Sequence, residues 1–359
     1  FQGEWEEKRL SEIAELYKGN GISKEQLSDR GEPCILYGEL YTKYKSEVIS
    51  EVVSKTNIDT KKLVRSKAND VIIPCSGETA EDIATARCVP YDNILLGGDL
   101  NIIRLHDTEG SFMSYQLNGK RKYDIAKVAQ GVSVVHLYGE HLKGVKTYVP
   151  CVEEQKKIAR LLSLLDERIA TQSKIIDKLQ SLIKGIAHRI SKQDKSNIRL
   201  SECLQCSSST LQESDVAEVG SYPVYGANGV VGYLDTYNTT DEAIYIIKDG
   251  SGVGSVSYIN GKCSATGTLN ILQAKDGFSL RYLYFMLKVF SFEPYKTGMA
   301  IPHIYFKDYG KAKIFCPPYE LQNKYADLFS KIEQKAIAEQ KILDNLCSQK
   351  QYLLRQMFI

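Results

Sequence analysis

The sequence contains a long internal repeat whose two copies lie 167 residues apart. The first copy opens with VPCVEEQKKIARLLSLLDERI (residues 149–169), and the second with CPPYELQNKYADLFSKIEQKA (residues 316–336). Identical residues recur in register, among them the pairs Glu153/Glu320, Gln155/Gln322 and Asp177/Asp344. A duplication of this length predicts two structural units of the same kind, so it constrains the fold more than any other feature.

Both repeated segments have the apolar spacing of long amphipathic helices. Seam positions alternate steps of three and four over more than four heptads in each copy. The seams comprise Ile158, Leu162, Leu165, Ile169, Gln172, Ile176, Leu179, Ile183, Ile186 and Ile190, and Tyr325, Phe329, Ile332, Ala336, Glu339, Leu343, Leu346, Lys350, Leu353 and Met357. Each helix should span about 38 residues, or about 57 Å, which favours a spacer.

One polar residue interrupts each seam near its midpoint. Gln172 and Glu339 are equivalent under the repeat. If the helices pair antiparallel about a pseudo-twofold axis, these side chains should meet and fix the register of a coiled coil as a polar layer. The alternative is two unrelated imperfections of the seams.

The segments outside the helices also resemble one another. GVSVVHL (residues 131–137) matches GMAIPHI (residues 298–304), which aligns His136 with His303. Both segments contain short β-branched and aromatic runs separated by Gly, Asn and Asp, as in mixed α+β domains. Each also has a helix-like patch, the clearest being FSLRYLYFMLKVF (residues 278–290).

These patterns predict an α+β fold in which two globular domains alternate with two long antiparallel coiled-coil helices as a pseudo-twofold internal repeat. The expected boundaries are a first domain at 1–148, a central spacer helix at 149–192, a second domain at 193–315 and a C-terminal spacer helix at 316–359. The polar stretch at residues 191–197 is interpreted as a linker.

Composition limits the classes of protein to consider. No apolar run reaches the roughly 18 residues of a membrane span, and the first residues lack the apolar core of a signal peptide. The nine cysteines are an odd number without a disulfide-scaffold spacing, which favours free thiols in the cytoplasm. CLQC (residues 203–206) has CxxC spacing without a second pair, so it is read as coincidence rather than as a metal site. The net charge of +2 neither requires nor excludes a nucleic-acid partner.

Catalytic motifs are weak. CPPY (residues 316–319) resembles the loop of amino-methyltransferases, but Cys316 is a poor hydrogen-bond acceptor. KDGSGVGSV (residues 248–256) lies between strand-like runs and reads as a hairpin or exposed loop, because no helix follows it to hold a phosphate. GETAEDIATAR (residues 77–87) lacks the carboxylate pattern of a two-metal nuclease and is interpreted as a solvated loop. We expect a non-catalytic chain without cofactor or metal.

Nucleic-acid binding has a diffuse signal. Tyrosines are interleaved with Lys, Asn and Ser in YTKYKSE (residues 41–47) and YGANGVVGY (residues 225–233). Lys and Arg bind phosphates, while Asn, Ser, Arg and Glu contact base edges. The alternative is that these tyrosines pack the domains and the lysines are ordinary surface residues.

The complete pattern resembles the specificity subunit of type I restriction–modification complexes. The resemblance rests on GEWEEKRLSEIAE (residues 3–15), on EQKKIARLLSLLDERI and its later copy LQNKYADLFSKIEQK, and on the loops VSVVHLYGEHLKGVKTYVP and MAIPHIYFKDYGKAKIFCPP. It covers essentially the whole chain. In the second copy, Tyr325 and Glu333 depart from the commoner Ile and Asp of the family.

The resemblance implies two target-recognition domains that each read one half of a bipartite, asymmetric site in double-stranded DNA. It also implies that the helix pair sets the unread gap and docks two methyltransferase subunits, to which restriction motor-nuclease subunits are added. No membrane partner is expected. The chain would be the DNA-binding component of a restriction system.

Candidate DNA-contacting residues are polar positions in loops at repeat-equivalent places. They are Tyr37, Glu39, Lys43, Ser76, Thr79, Arg87, Ser133 and His136 in the first domain, and Tyr225, Asn228, Lys248, Ser251, Met299 and His303 in the second. For the two histidines, a shared structural hydrogen bond is the competing interpretation.

Two rival classes remain open on the sequence. One is a non-DNA interaction scaffold, with two binding heads on a coiled-coil stalk. The other is a self-sufficient methyltransferase, which the missing cofactor loop disfavours.

Overall fold

The structure is a computed structural model that describes residues 4–131, 134–193 and 196–358. It divides into two compact units, residues Phe1–Ser173 with Lys341–Ile359, and residues Lys174–Gln340. Each unit therefore contains one globular domain and a half of each long helix. We call them unit 1 and unit 2.

The chain up to residue 193 contains twelve labelled strands and seven labelled helices among its described residues. They are β1 (Glu6–Arg9), α1 (Leu10–Ile13), β2 (Ala14–Lys18), β3 (Leu27–Ser28), β4 (Glu32–Ile35), α2 (Glu39–Thr42), β5 (Ser54–Thr56), β6 (Asp70–Pro74), β7 (Ser76–Gly77), α3 (Ala80–Ile83), β8 (Arg87–Val89), β9 (Leu95–Leu96), β10 (Leu100–Leu105), α4 (Gly110–Asn118), α5 (Lys122–Val128), β11 (Val135–His136), α6 (Gly139–Leu142), β12 (Lys146–Val149) and α7 (Val152–Gln193).

The remainder of the chain follows the same plan with fewer elements. They are β13 (Ile198–Arg199), α8 (Leu200–Cys203), β14 (Leu204–Ser208), β15 (Tyr222–Gly226), β16 (Gly229–Leu234), β17 (Glu242–Ile247), β18 (Val256–Asn260), β19 (Ser264–Ala265), β20 (Leu269–Ala274), α9 (Leu280–Leu287), α10 (Phe306–Tyr309), β21 (Lys313–Ile314) and α11 (Tyr319–Gln356).

Each globular domain is built on a four-stranded antiparallel sheet. The strand order is β2-β10-β6-β8 in unit 1 and β14-β20-β17-β18 in unit 2. The central strand β6 has the sequence DVIIP and is buried at every position, as expected for a short continuous apolar run. A second sheet in each unit contains one parallel pair, β4 with β9 or β15 with β19. The predicted mixed α+β class is confirmed.

Both long helices form where the heptad seams predict them. α7 has 42 residues and α11 has 38, against an expected length of about 38. The first part of the predicted linker is helical, because α7 continues to Gln193, and residues 194–195 lie outside the described part. Gln172 and Glu339 are both buried, but whether they meet stays a prediction.

Of three smaller interpretations of the sequence, one is wrong and two are confirmed. GETAEDIATAR contains a helical turn, α3, where a loop was expected, because the Thr79 hydroxyl accepts a hydrogen bond from the Asp82 N–H at 3.0 Å and caps it. The glycine-rich KDGSGVGSV forms a hairpin between β17 and β18, as expected. The helix-like patch of the second domain is also confirmed as α9.

Candidate nucleic-acid interface

One loop with the same backbone hydrogen bonds occurs in both units. In unit 1, Gln130 and His136 exchange two bonds, with N···O distances of 2.9 and 2.7 Å. In unit 2, Thr297 and His303 exchange two bonds of the same lengths. We call residues 130–136 and 297–303 the histidine loops. The sequence alignment of His136 with His303 is thus matched in three dimensions.

A glycine opens each histidine loop because no other residue fits there. Gly298 has a φ of +88°, and a Cβ on it would lie 2.4 Å from the carbonyl oxygen of Ile301. Gly131 has a φ of +126°, and its Cβ would lie 2.1 Å from the carbonyl oxygen of Val134. A side chain would strain the backbone and collide with the loop at both positions.

Each histidine loop packs beside the segment that follows a core strand. In unit 1, β11 pairs with β7, which places His136 opposite Ser76. In unit 2, the Gly250 N–H donates to the Pro302 carbonyl at 3.0 Å, and the Ile304 N–H donates to the Lys248 carbonyl at 2.9 Å. Residues far apart in sequence therefore share one surface in each domain.

The surface in unit 1 contains an open cleft of about 610 Å³. Its lining residues are Tyr37, Gly38, Tyr41, Thr42, Ser76, Gly77, Glu78, Asp82 and Val134. Tyr37 and Ser76 were predicted site residues, whereas Tyr41, Glu78 and Asp82 were not. The helix-capping pattern of Thr79 and Asp82 is the signal that could have placed these carboxylates at the cleft.

The surface in unit 2 brings four of the predicted residues together. Lys248 and Ser251 lie on the β17–β18 hairpin, and Met299 and His303 lie on the histidine loop that bonds to it. His303 Nδ1 lies 2.6 Å from the Asp249 carboxylate, so a structural hydrogen bond, the interpretation that competes with DNA contact, is present for this histidine. The Met299 side chain is fully exposed.

The remaining two residues of the second domain lie on its other sheet. Asn228 is exposed at the turn between β15 and β16. The Tyr225 ring is half-buried with its centroid 5.9 Å from that of Tyr245, and burial raises the pKa of the Tyr225 hydroxyl.

Glu39 and Arg87 are buried and point into the domain, so we withdraw them as DNA contacts. The Glu39 carboxylate accepts bonds from the Leu36 N–H, from Lys43 and from the Ser54 hydroxyl. The Arg87 guanidinium donates to the carbonyls of Tyr44, Ala86 and Leu40, and desolvation lowers its pKa.

The other predicted residues of the first domain differ in their contacts with the rest of the domain. Lys43 is exposed although its ammonium binds Glu39 and Ser54, each at 2.7 Å. Thr79 caps α3, and His136 is exposed with its ring stacked on that of Tyr138 at 6.2 Å. Ser133 lies outside the described residues.

The cysteines of the CLQC motif are structural. Cys203 ends α8 and Cys206 lies in β14, and burial raises the pKa of these thiols to about 12 and about 11. Both are free thiols. In the described part of the chain, no cluster of three metal-binding side chains is found.

Comparison with protein families decides the identity. The family model described as the type I restriction modification DNA specificity domain matches residues 2–181 and again residues 193–347. The chain belongs to this family. Type I specificity subunits are the non-catalytic, DNA-specifying components of their systems, so the identification made on the repeated helices is confirmed.

Relatives and solved structures agree. A putative type I specificity subunit of Mycoplasma genitalium is 24% identical over 72% of this chain and 73% of that protein. One of Mycoplasma pneumoniae is 30% identical over 32% of this chain, which is 40% of that protein's length. The crystal structure of a type I S subunit from M. genitalium covers 100% of this chain and 97% of the other with a TM-score of 0.68 at 20% identity. That likeness shows the fold. No helix within the described ranges is long and apolar enough to cross a membrane.

Glu333, which stands in the second copy of the repeat where Asp is commoner in the family, has polar partners in its own domain. The Glu333 carboxylate accepts from the Tyr284 hydroxyl at 3.0 Å and from Arg281 at 2.6 Å. Its counterpart Asp166 accepts from the Tyr115 hydroxyl at 2.7 Å. An acid facing a tyrosine of its own domain is thus kept in both copies.

Proposed function

We propose that this chain reads a bipartite, asymmetric DNA site, with one half-site contacted by each recognition domain. The domains are assigned to residues 1–148 and 193–315, and the spacer helices to 149–192 and 316–359. The observation that carries the proposal is the pair of histidine loops, which are closed by the same two backbone hydrogen bonds and differ in amino-acid sequence. A common scaffold with different polar groups suits two readers of different base sequences.

Different chemistry at the two surfaces supports an asymmetric site. Beside β7, unit 1 presents Glu78 and Asp82. Beside its histidine loop, unit 2 presents Lys248 and Ser251. Carboxylates accept bonds from the amino group of cytosine, whereas lysine donates to guanine, so the two half-sites should differ.

For DNA contact we retain the predicted residues other than Glu39 and Arg87. They are Tyr37, Lys43, Ser76, Thr79, Ser133, His136, Tyr225, Asn228, Lys248, Ser251, Met299 and His303. Since phosphate contacts release counterions, binding should weaken steeply as salt is raised.

The long helices are proposed to form an antiparallel coiled coil that sets the gap between half-sites. In unit 1, Asp166 of α7 bonds Lys350 of α11, and Ile158 lies in one apolar cluster with Phe358. From Asp166 back to Ile158, towards the start of α7, the contacting residue moves forward from Lys350 to Phe358, just past the end of α11. This opposite direction supports antiparallel pairing. Gln172 and Glu339 are proposed as its polar layer.

Partner proteins are proposed to cover the apolar residues that the helices leave exposed. Leu161 and its counterpart Leu328 are 47% and 43% exposed, and Ile175 and its counterpart Ile342 are also exposed. Apolar positions repeated on both helices suit two copies of one partner. We assign this surface to two methyltransferase subunits, with restriction motor-nuclease subunits joining the complex.

Exchange of the second domain tests the proposal. Replacing residues 198–315 with the matching domain of another specificity subunit should change one half-site of the methylated motif and leave the other unchanged. A matched exchange of the first domain should alter the opposite half. Changes in both halves, or in neither, would contradict one reader per half-site and favour the scaffold alternative.

A further inference from the structure

Two buried carboxylates share one cation in unit 1. The Lys350 ammonium lies 2.5 Å from Asp166 Oδ1 and also pairs with Glu47. The three side chains are 13%, 10% and 9% exposed. Lys350 belongs to α11, whereas the two acids belong to α7 and to the first recognition domain. The cation that forms these ion pairs therefore lies on the helix from the other copy of the repeat, while the first recognition domain supplies the second nearby cation, Arg87.

In unit 2, the cations that pair with the buried acid of the helix come from the recognition domain and not from the partner helix. Glu333 occupies the position of Asp166, and its cations come from the second recognition domain: Arg281 at 2.6 Å and Lys288 at 3.5 Å. The helix position equivalent to Lys350 is Ile183, which is 5% exposed and lines one groove with Lys288 and Glu333. The partner helix contributes an apolar residue here because the domain already supplies the charge.

We call residues 1–194 the first half of the chain and residues 195–359 the second half. The difference between Lys350 and Ile183 determines how well each half would pair with the other half or with a copy of itself. If a first half paired with a second copy of itself, Ile183 would take the place of Lys350. Glu47 and Asp166 would then lose their ion pair and keep only the electrostatic attraction of the buried Arg87 guanidinium, so two negative charges would face one positive charge. A buried charge that loses its partner is strongly destabilising. If a second half paired with its own copy, Lys350 would face Arg281 and Lys288, placing three cations around Glu333.

We infer that Lys350 and Ile183 select the pairing partner, so that each half of this chain accepts the other half and rejects a copy of itself. The partner that the first half fits is a helix carrying a buried lysine at this position. The partner that the second half fits is a helix carrying an aliphatic residue there. The inference does not depend on DNA reading.

A charge exchange in a cut chain tests it. A protease site inserted between residues 194 and 195 allows the folded full-length protein to be cleaved and its fragments to be exchanged in mild urea. Native mass spectrometry then counts the pairs. The unaltered fragments should pair almost wholly as first half with second half. In the I183K/K350I variant, self-pairs of each half should predominate, because each self-pair now has the matching charge.

In the fragment exchange, the inference would be overturned by a statistical mixture of pairs from the unaltered fragments or by unchanged pairing in I183K/K350I. If that variant does not fold, the intact chain decides. K350I should lower the thermal midpoint by several degrees, and adding E47Q, which leaves Asp166 and the buried Arg87 with balanced charges, should restore most of the loss. K341I, which removes an exposed lysine from the same helix, is the matched control. Equal losses in K350I and K341I, or no restoration, would contradict the assignment.

Discussion

At the level of single residues, one glutamine in each copy of the repeat attaches the recognition domain to the helix that follows it. Gln155 accepts a bond from the Glu109 N–H at 2.8 Å and donates to the Pro150 carbonyl at 2.8 Å. Gln322 repeats both bonds with Ser279 and Pro317, at 2.9 and 2.8 Å. The side chains are 1% and 2% exposed. One amide therefore satisfies two backbone groups and fixes the helix start against the domain.

Gln155→Leu should lower the free energy of unfolding by roughly 2–4 kcal/mol, since a buried N–H and a buried carbonyl lose their partners. Urea denaturation measures the loss. Lys156→Leu changes the adjacent exposed position and should stay within about 0.5 kcal/mol of the unaltered chain. If the Gln155→Leu protein were as stable as that control, the two hydrogen bonds of the Gln155 amide would contribute nothing measurable to the free energy of unfolding.

The sequence predicted the positions of side chains where the repeat aligned them, and did not predict which polar side chains are buried. His136 and His303 were placed in equivalent loops by their spacing alone. Glu39 and Arg87 were chosen for polarity near loops, yet both are buried with inward hydrogen bonds. Side-chain type does not report which polar groups a fold encloses, because that depends on contacts between distant segments such as Arg87 with Leu40 and Tyr44.

At the scale of elements, the long helices were predictable because a heptad seam is a periodic signal over dozens of residues. The helical turn α3 was missed because it has only four residues and depends on one cap. The second sheet of each unit could not be predicted from the sequence. Its strands β9 and β19 have only two residues each and are defined as strands by their parallel pairing with distant segments.

The ruler role predicts the effect of lengthening both helices together. One heptad inserted after Ser173 and another after Gln340 should add about 10.5 Å to the spacer. The gap in the recognised motif should therefore grow by about three base pairs, at about 3.4 Å each. Methylome sequencing of cells that express the variant measures the gap.

A five-residue insertion at both places is the control. It turns the apolar seam by about 140° and should abolish methylation, because the helices can no longer pair along their apolar faces. A seven-residue insertion that leaves the gap unchanged would remove the ruler role.

At the scale of the whole molecule, the order of domain, helix, domain, helix follows from the duplication. The bases that each domain reads do not follow from it. If the proposed surfaces contact DNA, the bases read depend on how the cleft beside Ser76 and the loop of His303 meet the groove, since small shifts in docking change which base edge a side chain reaches. The repeat thus fixes what the two halves share, while the specificity lies in what differs between them.

The central claim is that this chain determines which DNA sequence its system methylates. The most direct measurement is methylation-sensitive sequencing of the host genome with this gene intact and with it deleted, while the partner genes remain expressed. One split, asymmetric adenine motif should lose methylation on deletion and regain it when the gene is restored. An unchanged methylome would contradict the claim.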